Sequence, residues 1–184
     1  MSPATTAQLE AGLPHVLEAP ATDGRLDLVV TRPGVGLREV NARGTLDPAE
    51  GLIRDSWRTR GSRHTADGSA ESGRQLTLMN SRAIALFAGP DHEQWALAGD
   101  QLYVDLDLSE VNVPAGTRLT IGPAVVEVSP LPHTGCAKFT QRFGLDASRL
   151  ANSTQGLALH LRGINAFVLE AGPIAVGDPV RRLR

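Results

Sequence analysis

Turn signals recur through this chain at spacings too short for long helices. Arg32-Pro33-Gly34, Gly122-Pro123, Ala171-Gly172-Pro173 and Gly177-Asp178 each combine residues that break or reverse a strand. Between them lie short β-rich runs: RLDLVVT from Arg25, RQLTLMN from Arg74, LYVDLDL from Leu102, INAFVLE from Ile164 and IAVGDPVRRL from Ile174. TRLTIGPAVVEVS, from Thr117, reads as a hairpin around Gly122-Pro123. LYVDLDL alternates apolar and acidic residues, the period of a half-buried strand. Helical signals are few and short. They cover Thr6–Leu17, one turn capped by Asp47 with Pro48 at the first helical position, and an apolar stretch over 82–88 capped by Ser81. Helices that do not alternate with strands argue against a doubly wound parallel sheet. The expected fold is mostly β, an antiparallel β-barrel with peripheral short helices. One domain is expected over residues 22–184. Residues 1–21 are expected to form a partly flexible, loosely docked lead-in.

Composition narrows the class. The 184 residues suffice for one sizeable core, and with 4% aromatic residues Leu, Val, Ile and Ala must fill most of it. The formal net charge is -2, so nucleic acid is not an expected partner. No stretch approaches the roughly 18 apolar residues of a membrane helix, and the amino terminus lacks a secretory pattern. A single cysteine forms no internal disulfide and suits a reducing compartment. A cytoplasmic protein without a membrane partner is expected.

That cysteine, Cys136, stands two residues from the single lysine, Lys138, in LPHTGCAKFTQRFG. Pro130 and Pro132 stiffen the approach. Thr134 reads as the N-cap of a helix ending near Gly144, which places Cys136 in the first turn. There the free amides and the dipole favour a thiolate. Lys138 and Arg142, four apart, share a helix face and add positive potential, and His133 is near enough in sequence to accept a proton. Phe139 and Phe143 share another face that would seat the helix. The opposing reading is a buried small hydrophobe without reactivity, and the sequence leaves the two open. Cys136 and His133 have no second Cys/His pair at zinc-ligand spacing, and neither a Walker loop nor a GxGxxG segment occurs. A long polar stretch, 58–73, reads as a loop of the kind often used functionally. Arg162, before a strand, reads either as a surface charge or as an oxyanion-binding arginine at the barrel mouth.

A proline-flanked cysteine after a barrel strand, then Arg162-Gly163-Ile164-Asn165-Ala166, then a strand and a closing G-x-I-x-V-G-D, resembles the MOSC domain, found at the carboxyl end of molybdenum cofactor sulfurases and alone in small bacterial proteins. GDQLYVDLDLSEVNVPAGTRLTIGPAVVEV resembles the family's middle portion, and GLIRDSWRTRG with RQLTLMN its earlier half. The resemblance implies a barrel and an association with the molybdenum cofactor, a pterin dithiolene carrying a phosphate. It places Cys136 as the sulfur-carrying or molybdenum-ligating residue; His133 and Lys138, its neighbours in the sequence, are the further catalytic candidates. Arg162, Gly163, Asn165, Arg142, Thr134 and Asp55 become cofactor-binding candidates. Two departures stand out: His133 replaces an arginine common in the family, and Arg54-Asp55-Ser56-Trp57 keeps the aspartate of a Gly-Asp-x-His segment but not its histidine. The pyridoxal phosphate domain of full-length sulfurases has no counterpart here, so that cofactor is not expected. Two functions follow: a molybdenum-dependent reductase of small N-oxygenated compounds served by an electron-donor protein, or a persulfide carrier served by a cysteine desulfurase.

Overall fold

The computed structural model describes residues 3–183. Its strands are β1 (Asp23–Thr31), β2 (Glu39–Asn41), β3 (Arg43–Asp47), β4 (Gly51–Leu52), β5 (Leu76–Asn80), β6 (Leu102–Asp105), β7 (Arg118–Ile121), β8 (Ala124–Val128), β9 (Ile164–Glu170), β10 (Gly172–Ala175) and β11 (Pro179–Arg182). The helices are α1 (Thr6–Leu17), α2 (Trp57–Arg60), α3 (Ser81–Ala88), α4 (His92–Ala96), α5 (Ala137–Phe143), α6 (Leu145–Ala151) and α7 (Thr154–Ala158). One sheet runs β11-β7-β8-β9-β5-β6-β1-β2, and pairing of β11 with β1 closes seven of its strands into a barrel. Every ladder in it is antiparallel except β5 with β6, so the barrel is mixed. A small sheet, β10-β3-β4, packs Leu46, Leu52 and Ile174 into the same core.

The β7–β8 hairpin forms as expected, with Ile121 opposite Ala124 across Gly122-Pro123. The last three strands do not form a meander. β9 joins β8 and β5, β10 leaves for β3, and β11 closes the barrel. Two apolar layers result. Leu26, Val29, Leu76, Leu78, Leu102, Val104 and Val126 fill the barrel. Leu28, Val30, Met79 and Tyr103 point outward to the helices. Strict alternation would put Leu26 and Leu28 on one face. A register shift between them switches the face, so one strand serves both layers.

Three local expectations change. Asp47 caps no helix. Its Oδ1 accepts the N–H groups of Ala49 and Glu50 in a turn, because Gly51, at φ 74°, returns the chain to pair Asp47 with Gly51 across β3 and β4. The cap of α3 is Asn80, whose side chain accepts from Arg82 and Ala83, and Ser81 is the first helical residue. The lead-in is docked: Thr5 and Gln8 form a capping box, and Leu9, Leu13 and Val16 are buried in the helical layer with Ile84 and Phe87. Among the described residues no helix is long and apolar enough to cross a membrane.

Candidate functional site

The proline-rich exit from β8 is tied down by side chains, since prolines supply no N–H of their own. Ser129 Oγ accepts the Leu131 N–H at 3.1 Å. Asn165, buried on β9, donates to the carbonyls of Leu131 and Pro132, each at 3.1 Å. Arg74 also donates to Pro132, at 3.2 Å. Gly135 is gripped from both sides by Asn152, which accepts its N–H at 2.9 Å and donates to its carbonyl at 3.3 Å. A β-carbon on Gly135 would meet that amide at 2.7 Å. The loop therefore delivers Cys136 in one place. Cys136, not Thr134, is the N-cap of α5, because the extended conformation persists through Cys136 (φ -115°, ψ 173°). Its carbonyl accepts from Thr140, its thiol makes no capping bond, and the side chain is exposed. That removes the buried-hydrophobe reading. Phe139 and Phe143 are buried as expected, and Phe139 meets Phe87 edge-on at 5.5 Å.

Arg162 is not a surface charge. It is 5% exposed, its Nη1 lies 2.5 Å from Asp100 Oδ2, and its Nη2 donates to the Ala98 carbonyl at 2.9 Å. Its guanidinium sits 5.1 Å above the Phe139 ring, a cation–π contact. Only Nε lacks a partner. The fork is thus shared between Asp100 and the Ala98 carbonyl, and Arg162 is a wall of the site rather than a free anion clamp. Asp100 is 0% exposed, and its second oxygen, Oδ1, is 3.5 Å from His133 Nδ1 without a hydrogen bond. Burial holds the His133 pKa down to about 3; the charges of Arg162 and Arg32 add to this, and Asp100 opposes it. His133 is therefore a neutral imidazole near neutral pH.

Asp55 is saturated by the protein. It is buried, and its two oxygens accept from the Arg32 backbone N–H, Arg32 Nε, Arg32 Nη2 and the Trp57 N–H, at 2.8 to 2.9 Å. A carboxylate has about four lone-pair sites, so Asp55 orders this corner and does not reach a cofactor. Lys138 is exposed, and Arg142 donates to the Leu97 carbonyl.

A cleft of about 530 Å³ opens against this wall. His133, Thr134, Arg162, Gly163 and Asn165 line it. Gly163 is required there: at φ 98°, its β-carbon would lie 2.3 Å from the Leu78 carbonyl oxygen. Cys136 lies two residues beyond Thr134, outside the lining, as do Lys138, Arg142 and Asp55. Reading the sequence missed Asp100, the partner of Arg162. It also missed His160, which lines the cleft in a left-handed conformation (φ 47°) with Nδ1 2.6 Å from the Leu108 carbonyl. His160 closes α7 through Leu161 N–H to Gly156 and His160 N–H to Leu157, a position usually held by glycine.

A family model described as the MOSC domain matches residues 62–181. The chain belongs to the MOSC domain family. This MOSC protein also shares its fold with solved structures at low identity. YuaD from Bacillus subtilis is 15% identical, with a TM-score of 0.60 over 86% of this chain and 94% of that one. YiiM from Escherichia coli is 20% identical, with a TM-score of 0.54 over 87% and 70%. YiiM from Geobacillus stearothermophilus is 15% identical, with a TM-score of 0.56 over 88% and 75%. No curated protein matches the chain. The MOSC family is associated with the molybdenum cofactor.

The donor set suits that association. Among the described residues no three His, Cys, Asp or Glu side chains gather as a metal site. One exposed thiol fits a metal that arrives with sulfur ligands of its own.

Proposed function

We propose that this MOSC protein binds the molybdenum cofactor with Cys136 as the protein ligand and reduces small N-oxygenated compounds. The observation that carries the reading is the exposed, unbonded Cys136 thiol, fixed by the Asn152–Gly135 clamp next to a cleft walled by Arg162 and His133. When bound, the cofactor would supply two-electron oxygen-atom chemistry. The chain's own residues do the rest. Cys136 ligates as the thiolate. Neutral His133 offers a hydrogen bond without adding charge. Thr134 and Asn165 shape the cleft, and Lys138 and Arg142 supply positive potential on α5. Reduction of an N-oxide to amine and water consumes two electrons and two protons, so an electron-donor protein is part of the proposal.

A second reading rests on the same exposure. Cys136 lies open to another protein, as a carrier must. Its thiolate would take the terminal sulfur of a desulfurase persulfide, releasing the desulfurase thiolate and leaving a Cys136 persulfide.

N-oxide reduction by cofactor-loaded protein, with reduced viologen as donor, tests the first reading. Turnover that disappears in Cys136→Ala supports it. Turnover that survives the substitution, or none in the loaded parent, overturns it.

A further inference from the structure

The loop from β1 to β2 carries apolar side chains into solvent. Val35 is 94% exposed and Leu37 58%, and Val40, in β2, is exposed too. At the tip, Gly36 has φ 79° and nothing within 4 Å of where its β-carbon would stand. The base of the loop is fixed. The Leu37 N–H donates to the Gly34 carbonyl at 3.1 Å. Arg38 reaches the turn after α4, its Nη2 3.3 Å from where a Gly99 β-carbon would stand. The same turn takes Arg142 of α5, which donates to the Leu97 carbonyl. The loop, the Leu97–Gly99 turn and α5 therefore form one strip, and Cys136 stands at its far end as the N-cap of α5.

The strip is cationic, and the acids around it are already engaged. Lys138 and Arg142 are exposed, and four residues apart they share a face of α5. Among the described residues, Arg38 and Arg142 bond backbone carbonyls alone, those of Leu37 and Leu97. Arg38 Nε is buried without a partner. Asp55 is paired with Arg32, Glu39 with Arg54 and Asp100 with Arg162. Asp91 and Glu93 stand at the amino end of α4, away from the turn that follows it. An arginine that is partly buried without a carboxylate is stabilised by one that arrives from outside. Apolar anchors beside arginine are the composition of a protein interface. A small anion would meet the charges and leave the apolar tip uncovered.

We propose that the β1–β2 loop and the Lys138–Arg142 face of α5 form the docking surface for an electron-donor protein with an acidic face. Val35 and Leu37 are its apolar anchors, and Arg38, Lys138 and Arg142 receive the donor's carboxylates. The proposal rests on the reductase reading, which requires such a donor. Docked there, the donor covers α5 and brings its redox centre toward Cys136. It gives up two electrons for each N-oxide reduced, and water supplies the two protons. Redox encounters bury less than about 1,200 Å² in total, an area that a loop tip and one short helix can supply.

Surface plasmon resonance of the cofactor-free protein against two acidic carriers, a flavodoxin and a plant-type ferredoxin, tests the surface without turnover. Binding to at least one is expected at low salt, weakening as ionic strength rises. Arg38→Glu and Val35→Asp should each weaken it about tenfold or more. Val35 lies in solvent, so its substitution leaves the core intact. Arg181→Glu makes the same charge change beside Asp23, at the opposite end of β1 and roughly 25 Å away by strand rise. It should alter affinity less than about threefold. Loaded with cofactor, Arg38→Glu should keep viologen-driven turnover and lose carrier-driven turnover. Absence of viologen-driven turnover in the parent would sink the reductase reading alone, and the binding titration would still decide the surface. Binding of neither carrier, or parental affinity in both Arg38→Glu and Val35→Asp, overturns the docking surface. A parent dimer that Val35→Asp dissolves also overturns it and assigns the loop to a second copy of the chain.

Discussion

Arg162 and Asp100, 62 residues apart in the chain, meet at 2.5 Å with essentially no exposure, and each has one polar atom left over. Arg162 Nε and Asp100 Oδ1 have no partner, and Asp100 Oδ1 faces His133 at 3.5 Å. The pair therefore couples the turn leading into β9 to the turn after α4 and forms the floor against which His133 rests.

Removing one member leaves a buried charge uncompensated. Arg162→Ala is expected to destabilise the fold by about 3 kcal/mol or more. Urea unfolding checks this, and the loss should show as a lower midpoint with an unchanged slope. The sequence left Arg162 open between a surface charge and an oxyanion-binding arginine at the barrel mouth, and its burial against Asp100 removes the first.

Cys136→Ala should leave stability almost untouched, since the thiol is exposed and makes no capping bond. A change in Tm within about 2 °C is expected, read by differential scanning calorimetry. A loss of folding would place the thiol in the core.

His133 should make stability fall with acid. Its folded pKa, about 3, lies below the ordinary 6.5, so below pH 6.5 the unfolded chain takes up a proton that the folded chain refuses. Stability is therefore full above about pH 6.5 and declines as pH falls toward 3. Between pH 7 and pH 5 the loss from this group is on the order of 1–2 kcal/mol. His133→Gln should flatten that part of the profile while the acid loss due to carboxylates remains. Identical slopes for parent and variant over pH 5–7 would contradict the assignment.

Gly163→Ala tests the Arg162–Gly163 corner. The added β-carbon meets the Leu78 carbonyl oxygen, which is fixed backbone, at an unfavourable φ. A cost of roughly 2 kcal/mol or more is expected. Gly116→Ala, where φ is also positive but no atom lies within 4 Å, should cost less. Equal unfolding midpoints for the two variants would show that the close approach does not matter.

Much of the barrel was legible because its signals are local. The β7–β8 hairpin needs only Gly122-Pro123 between two β-rich runs, and α5 ends at Gly144 as its glycine dictates. Strands of two or three residues, such as β2 and β4, show no period and were invisible. The bulge in β1 hides behind an unbroken apolar run, and only pairing with β6 reveals it. In the site, the prolines, Cys136 and Arg162-Gly163-Ile164-Asn165 stood out as a pattern. Their partners did not. Asp100 reads as one more acid near an acidic strand and Asn152 as a polar helix end. Each acquires its role from a contact across the fold. Asp55 errs the other way: it fits the family pattern, yet four hydrogen bonds already occupy it.

The proposed role of Cys136 is to hold the molybdenum cofactor. Its most direct test is the molybdenum and pterin content of the protein beside its Cys136→Ala variant, both purified from a host that makes the cofactor. Stoichiometric metal and pterin in the parent, with neither in the variant, is the predicted result. Equal content in the two would contradict it, and no cofactor in either, with cyanide-labile sulfur on the parent alone, would replace it with the persulfide carrier.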